Sequence, residues 1–228
     1  MGGHEFQNFE TLSFDCYGTL IDWETGIRTT LTTWADKNQL QLDEVISRFG
    51  AIESKVQQEE PSRPYPEVLA EVLRRMGNTT EEEAERFGES VGDWPPFSDS
   101  VAVLQKLKRR YKLAILSNVD RASFARSNAL LGVDFDLIIT AEDVGSYKPD
   151  LRNFKALFKG LALNDRSRLL HVAQSLYHDH EPALALGLQT AWIHRPSSGA
   201  SPPPATAVQP TWTFPSLAAL AEAIFKDG

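Results

Sequence analysis

Short apolar runs that alternate with longer segments of helical spacing constrain the fold of this chain most strongly. The runs predicted as strands are 11–15, 113–117, 137–140, 169–172 and 191–194. The segments with helical spacing are 101–110, 121–131, 152–161, 181–186 and a final one capped by Ser216. This order is typical of a parallel sheet with crossover helices. We therefore predict an α/β fold with a Rossmann-like parallel-sheet core and helices on both faces.

One long interval interrupts the alternation. Residues 23–94 contain no convincing strand, only helical stretches such as 42–59 and 66–76. We therefore predict an inserted helical cap domain at residues 21–94 and a core domain formed by residues 1–20 and 95–228. The stretch WPPFSD, with two prolines, is predicted to lead back into the core. Residues 196–211, rich in Pro, Ser and Ala, are predicted to be a flexible surface connection.

The net negative charge of the chain limits the kinds of molecule that it can bind. The chain has 31 acidic and 23 basic residues and a formal net charge of -8, whereas nucleic acids and anionic membranes require clustered cations. We expect neither as a partner, and expect any anionic substrate to be bound by a few local cations. A single cysteine, Cys16, permits no intramolecular disulfide. With no signal-peptide pattern and no apolar segment of about 20 residues, a cytoplasmic protein is expected.

Polar side chains follow four of the predicted strands. They are Asp15 after the first, Ser117 and Asn118 at the second, Lys148 in the loop GSYKPD after the third, and Ser175 and Asp179 after the fourth. Alone, each has an ordinary explanation as a turn residue, a helix cap or a solvated side chain. Ligands of open parallel sheets bind beyond the carboxyl ends of strands. Four such ends bearing polar groups together indicate a functional site.

The motifs DxYGTL, SN, KP and SxxxD at these strand ends resemble those of the haloacid dehalogenase-like hydrolase superfamily. The resemblance covers the predicted core nearly end to end, and it is greatest to the branch that contains the L-2-haloacid dehalogenases. In that superfamily the cap domain is inserted directly after the first motif, where this chain has its helical interval. Enzymes of this branch are often homodimers, so the resemblance leaves a homodimer open.

The matched residues imply a covalent mechanism. Asp15 is the proposed nucleophile, because an aspartate is ionised at neutral pH and attacks without a base. Lys148 would supply the counter-charge and Asp179 would orient the water of the second step. Backbone N–H groups of Gly18 and Thr19 are expected to approach the anionic substrate, and Thr19 adds a hydroxyl.

Further residues are expected to bind the substrate. Ser117 or Asn118 would hydrogen-bond the acid group, and Tyr17 and Ser175 are also assigned to substrate binding. Dehalogenases of this kind use a cap arginine at the halide, for which Arg28 and Arg63 are the candidates. The aromatic residues Trp23, Trp34 and Tyr65 either line the pocket or only pack. Cys16, by contrast, is expected to be a core residue.

Two positions depart from the phosphatases of the superfamily. Those enzymes have an aspartate two residues after the nucleophile that protonates the leaving alkoxide, where this chain has Tyr17, and a phenol of pKa about 10 is a poor acid at neutral pH. They also read Gly-Asp where this chain reads Ala173-Gln174. The remaining magnesium ligands would be Asp15, Asp179 and the carbonyl of Tyr17, a weakened site.

Three functions stay open. A halide leaves without a proton, so hydrolysis of a small 2-haloacid without a metal or other cofactor is favoured. The first alternative is a Mg²⁺-dependent phosphatase for a phosphate or diphosphate whose leaving group is stable as an anion. The second is a non-catalytic binding protein that retains the fold.

Overall fold

Six parallel strands form one sheet in the order β3-β2-β1-β4-β5-β6. The computed structural model of the protein describes residues 6–195 and 208–226. The strands are β1 (Thr11–Phe14), β2 (Lys112–Ser117), β3 (Leu137–Thr140), β4 (Leu169–Ala173), β5 (Gln189–Ile193) and β6 (Trp212–Phe214). The five predicted strands are confirmed within two residues at each end, and β6 is an additional strand.

The central strand β1 is buried along its whole length, as is its neighbour β4. Burial along a whole strand is expected when helices cover both faces of a parallel sheet. β1 pairs with β2 on one side and β4 on the other, with Phe14 opposite Ile115 and Val172. The carboxyl ends of these three strands therefore lie side by side.

Ten α-helices lie in the described part of the chain. They are α1 (Trp23–Lys37), α2 (Leu42–Glu59), α3 (Tyr65–Met76), α4 (Glu81–Glu89), α5 (Ser100–Lys108), α6 (Arg121–Leu131), α7 (Ala141–Val144), α8 (Leu151–Gly160), α9 (Glu181–Ala185) and α10 (Leu217–Phe225). Ser216 caps α10 by accepting a hydrogen bond from the amide of Ala219, as predicted. The α/β fold with a parallel sheet is confirmed.

Helices α1 to α4 are consecutive, and no strand lies within residues 23–93, a stretch the structure describes in full. Aromatic rings hold them together. Trp23 stacks on Phe49 with ring centroids 5.7 Å apart, and Phe87 packs edge-on to Phe49 and tilted against Trp94. The division into a cap domain at 21–94 and a core domain stays a prediction.

Two other expectations concern loops and membranes. Residues 196–207 of the predicted flexible connection lie outside the described residues. Within the described ranges, the helices are all too short or too polar to cross a lipid bilayer.

Candidate active site

Asp15 lies one residue beyond the end of β1, and its carboxylate opens into a cavity of about 180 Å³. Its backbone amide donates to the carbonyl of Val172, which fixes the residue between β1 and β4. The Oδ2 atom accepts a 2.7 Å hydrogen bond from the hydroxyl of Thr19, and Oδ1 accepts one of 2.8 Å from Nζ of Lys148. Both carboxylate oxygens are thus oriented by donors while the group borders the cavity.

The ammonium group of Lys148 joins the two aspartates predicted for the site. Besides Asp15, it donates to Oδ1 of Asp179 at 2.6 Å and to the carbonyl of Leu116 at 2.8 Å. All three ammonium protons therefore have acceptors. Lys148 is itself held by Asn118, whose side chain accepts from the amide of Lys148 and donates to its carbonyl.

Burial and charge set the protonation states of Lys148, Asp15 and Asp179. Burial lowers the pKa of Lys148, but the charges of Asp15 and Asp179 outweigh it and the net shift is upward. Burial raises the pKa of Asp179, yet Lys148 and His171 oppose it and hold that pKa well below its usual range. The pKa of Asp15 is raised by its burial, against the attraction of Lys148, and the charge of Asp179 adds to the rise. Asp15 is therefore the more basic carboxylate.

Two polar side chains that no sequence pattern singled out, His171 and Ser13, support Asp179 on the side away from the cavity. His171 on β4 has its Nε2 atom 3.0 Å from Oδ1 of Asp179, and its Nδ1 atom is 2.9 Å from the hydroxyl of Ser13 on β1. All three side chains are fully buried. Ser13 and His171 are opposite each other on adjacent buried strands, so only their cross-strand pairing reveals the polar contact.

Asp179 itself lies in a π-helical turn, Leu176–His180. Such turns often occur at functional sites. Ser175 caps this turn by accepting from the amide of His178, and it borders the cavity. Burial lowers the pKa values of His178 and His180 to about 4, so both imidazoles are neutral at neutral pH. His180 contacts the carbonyl of Ala173 instead of the cavity.

The backbone amides in the turn after Asp15 do not bind substrate as expected. The amide of Gly18 donates to the carbonyl of Ile21 and that of Thr19 to the carbonyl of Cys16, so neither faces the substrate. Gly18 has a φ of +93°, a conformation that favours glycine. Thr19 is fully buried and acts on Asp15 through its hydroxyl. The expected binding of substrate by these two amides is therefore wrong.

Other predicted residues do border the cavity. Ser117 lies at the end of β2, and its hydroxyl has no hydrogen-bond partner among the described residues. Oδ2 of Asp179 is likewise buried and unpartnered within the described ranges. Tyr17 also borders the cavity, but its phenol is hydrogen-bonded to the hydroxyl of Ser127 at 2.8 Å. Burial raises the pKa of Tyr17 well above its usual value, which makes it a poor acid.

The opposite wall of the cavity comes from the helices. It is formed by Trp23, Phe49, Gly50, Glu53, Gln57 and Tyr65. The α2 residues recur at about every fourth position, which places them on one helix face. Glu53 and Gln57 were missed as site residues. The signal available was polar residues four and eight positions after Phe49 on an otherwise apolar face.

The two candidate cap arginines do not border this cavity. Arg28 is paired with Asp43 at 2.5 Å in an exposed position, which corrects its assignment to substrate binding. Arg63 contacts Glu60 at 3.3 Å, and its carbonyl accepts a hydrogen bond from the phenol of Tyr147. Among the described residues, Lys148 is the only Lys or Arg at the cavity wall. Trp34 also lies elsewhere, donating to Thr79.

Comparisons with known proteins agree with this geometry. The sequence model of the haloacid dehalogenase-like hydrolases matches residues 9–181. The chain belongs to this family. As a haloacid dehalogenase-like hydrolase it is an enzyme, and the non-catalytic alternative is not supported.

Individual relatives differ in activity. The (S)-2-haloacid dehalogenase H-109 of Pseudomonas putida is 28% identical over 207 residues, covering 83% of this chain and 87% of the relative. The pyrimidine 5'-nucleotidase YjjG of Escherichia coli is 28% identical over 138 residues, covering 58% and 57%. The crystal structure of an L-2-haloacid dehalogenase superposes with a TM-score of 0.80 at 24% identity, covering 96% of this chain and all of that one.

A magnesium ion would meet a poor donor set in this haloacid dehalogenase-like hydrolase. The described residues contain no group of three His, Cys, Asp or Glu side chains able to hold a metal. The ligands left are Asp15, the carbonyl of Tyr17 and the free Oδ2 of Asp179, with neutral Gln174 where a further acid would help. The ammonium group of Lys148 already pairs with both carboxylates. Magnesium prefers six oxygen ligands, so these residues do not fit it well.

Proposed function

We propose that this enzyme hydrolyses a small 2-haloacid through a covalent ester on Asp15, without a metal or other cofactor. The observation that carries the proposal is the state of Tyr17. A phenol bonded to Ser127 stands two residues after the nucleophile, where an acid would be needed to protonate an alkoxide. A halide needs no such proton. The similarity to (S)-2-haloacid dehalogenases over 83% of the chain supports the same reaction class.

In the first step a carboxylate oxygen of Asp15 attacks the halogen-bearing carbon. A carbon–oxygen bond forms, and the carbon–halogen bond breaks with its electron pair leaving on the halide. Lys148 and Thr19 fix the carboxylate for this attack. The unpartnered hydroxyl of Ser117 is available to the acid group of the substrate, and Ser175 borders the same space.

In the second step water attacks the carboxyl carbon of Asp15 in the ester. The acyl carbon–oxygen bond breaks, one proton of the water passes to the departing oxygen and the other to solvent, the 2-hydroxyacid leaves, and Asp15 is regenerated as a carboxylate. Oδ2 of Asp179, which lacks a partner among the described residues, is available to orient this water. Lys148 remains as a fixed cation beside the oxygen that develops negative charge.

A phosphatase with a good leaving group is the second candidate. The observation in its favour is the same free Oδ2 of Asp179, beside Asp15, which is an available oxygen ligand. The similarity to a pyrimidine 5'-nucleotidase over 58% of the chain also supports it. Tyr17 still disfavours simple phosphomonoesters, so diphosphates and acyl phosphates are the relevant substrates.

A paired assay separates the candidates. Purified enzyme receives 2-chloropropionate in one series and phosphomonoesters and diphosphates in the other, each with EDTA or with magnesium. Chloride release that EDTA does not affect supports the dehalogenase. Magnesium-dependent phosphate release without chloride release contradicts it and supports the second candidate.

The covalent step has its own test. Asp15→Asn should lower turnover by at least about 1,000-fold, whereas Asp43→Asn, the same change at an exposed carboxylate, should not. Turnover in ¹⁸O-labelled water should place the label in the side chain of Asp15, detected by mass spectrometry of its peptide. Label found only in the product would contradict the ester intermediate.

A further inference from the structure

Glu53 on α2 is an acidic side chain in the cavity wall that the reaction steps above do not use. Its Oε1 atom accepts a 2.5 Å hydrogen bond from the phenol of Tyr65 and a 3.2 Å hydrogen bond from the side-chain amide of Gln57. Its Oε2 atom has no hydrogen-bond partner among the described residues, and the side chain borders the same cavity as Asp15. One oxygen is therefore anchored and the other is available.

The surroundings of Glu53 favour the neutral acid. Glu53 is half-buried. A carboxylate withdrawn from water is normally paired with a cation, yet the described residues provide no ion-pair partner for Glu53. Burial raises its pKa from 4.5 to about 7, although the hydrogen bond from Tyr65 opposes the rise. A protonated carboxyl group at Oε2 is a hydrogen-bond donor.

We infer that the protonated carboxyl group of Glu53 donates a hydrogen bond from Oε2 to the group that leaves the substrate. This inference rests on the proposed function. It assigns to Glu53 the halide-binding role for which no arginine lies at the cavity wall among the described residues. The halide departs with its bonding electron pair and keeps the hydrogen bond, while the proton stays on Glu53. The substrate class is thus a 2-haloacid whose halogen accepts a hydrogen bond.

Ionised Glu53 would act in the opposite sense. It would offer no donor and would place a negative charge where an anion forms, so turnover should fall as Glu53 loses its proton. The other titratable groups at the cavity are Asp15, Asp179 and Lys148 from the strand ends, His178 from the π-helical turn, and the phenols of Tyr17 and Tyr65. Tyr147 lies outside the cavity wall, and its ring packs against that of Tyr65.

Most of these groups keep one state between pH 6 and pH 8.5. His178 is neutral because burial lowers its pKa to about 4, and burial raises the pKa values of all three phenols. Any contribution from Asp15 is common to wild type and Glu53 variants. A comparison with Glu53→Gln, which keeps an N–H donor and cannot ionise, therefore isolates Glu53.

The kinetic test measures kcat/KM for 2-chloropropionate from pH 6 to pH 8.5. The wild-type value should fall about tenfold or more above pH 7. The value for Glu53→Gln should not show this fall. Tyr65→Phe should move the wild-type midpoint upward, because the lost hydrogen bond had lowered the pKa of Glu53. Equal pH profiles for wild type and Glu53→Gln would overturn the inference.

A second measurement does not depend on turnover. Bromide binding is followed by the saturable quenching of tryptophan fluorescence, since Trp23 and Trp94 border the cavity. Wild type should bind bromide about tenfold more tightly at pH 6 than at pH 8.5, and Glu53→Gln should show no such difference. Absence of halide release from every 2-haloacid would refute the proposed function and, with it, the inference, whereas halide release leaves the bromide measurement as the test of Glu53 alone. Binding that does not depend on pH in wild type overturns it.

Discussion

His171 Nε2 lies 3.0 Å from Oδ1 of Asp179, and both side chains are completely buried. Because an ionised carboxylate only accepts hydrogen bonds, the ring donates from Nε2. The same oxygen accepts from Lys148, so two donors hold Asp179 in place while its second oxygen stays free.

Replacing His171 with Ala should therefore affect stability and turnover together. Loss of a hydrogen bond to a charged group costs about 1.5 to 3 kcal/mol, which urea unfolding measures. Turnover should fall because Asp179 loses one of its two positioning contacts. Ser13→Ala, which removes only the outer contact to His171, is the matched control and should cost about 1 kcal/mol. Full stability in His171→Ala would contradict this role.

Lys148→Met should leave two buried carboxylates without their cation. We expect a loss of about 3 to 5 kcal/mol of unfolding free energy at pH 7 and no measurable turnover. Adding Asp179→Asn to this variant should recover part of the stability, because it removes one of the unpaired charges. A Lys148→Met protein as stable as wild type would contradict the charge balance described for the site.

The pH dependence of stability should also differ between Lys148→Met and wild type. In the wild type the pKa of Asp179 is lowered on folding, so its contribution to stability is present above the unfolded value of 3.8 and is lost as the pH falls. Without Lys148, burial raises the pKa, and stability should instead fall as the pH rises. Between pH 5 and pH 8 Asp179 is ionised in both the folded and the unfolded wild type and contributes no slope, so the unfolding free energy of Lys148→Met should fall more steeply over this range than that of wild type.

Glu53 should make the folded protein less stable at alkaline pH. Its pKa rises from 4.5 to about 7 on folding, so its contribution is full below the unfolded value and is lost as the pH rises through 7. Because the side chain is partly accessible from the cavity, we expect a loss of about 2 kcal/mol between pH 5 and pH 8 relative to Glu53→Gln. Parallel stability curves for the two proteins would contradict this prediction.

Two helical glycines should respond to alanine in opposite ways. A Cβ atom at Gly26 on α1 would lie 2.2 Å from Cγ of the buried Trp94, so Gly26→Ala should cost about 1 to 3 kcal/mol. Gly50 on α2 has no heavy atom within 4 Å of that position. Gly50→Ala should stabilise the protein by about 0.5 to 1 kcal/mol through helix propensity. Thermal unfolding of both variants provides the comparison.

Much of the fold follows from local patterns. The bounds of α2, α6 and β3 match their sequence predictions residue for residue, because long periodic segments and apolar runs between turns are unambiguous. The strand β6 was missed, since three residues, Trp212–Phe214, are too few to show a period. Its place at the sheet edge depends on pairing with β5.

By itself, the sequence determined the strand-end positions of Asp15, Ser117, Lys148 and Asp179, because parallel strands end at one edge of a sheet. Only the tertiary structure decided what surrounds them. The amides of Gly18 and Thr19 close a turn, Arg28 pairs with Asp43, and Glu53 meets Tyr65 at the cavity. The reason is physical: hydrogen bonding, ion pairing and the pKa of a carboxyl group depend on groups distant in sequence, which only packing brings together.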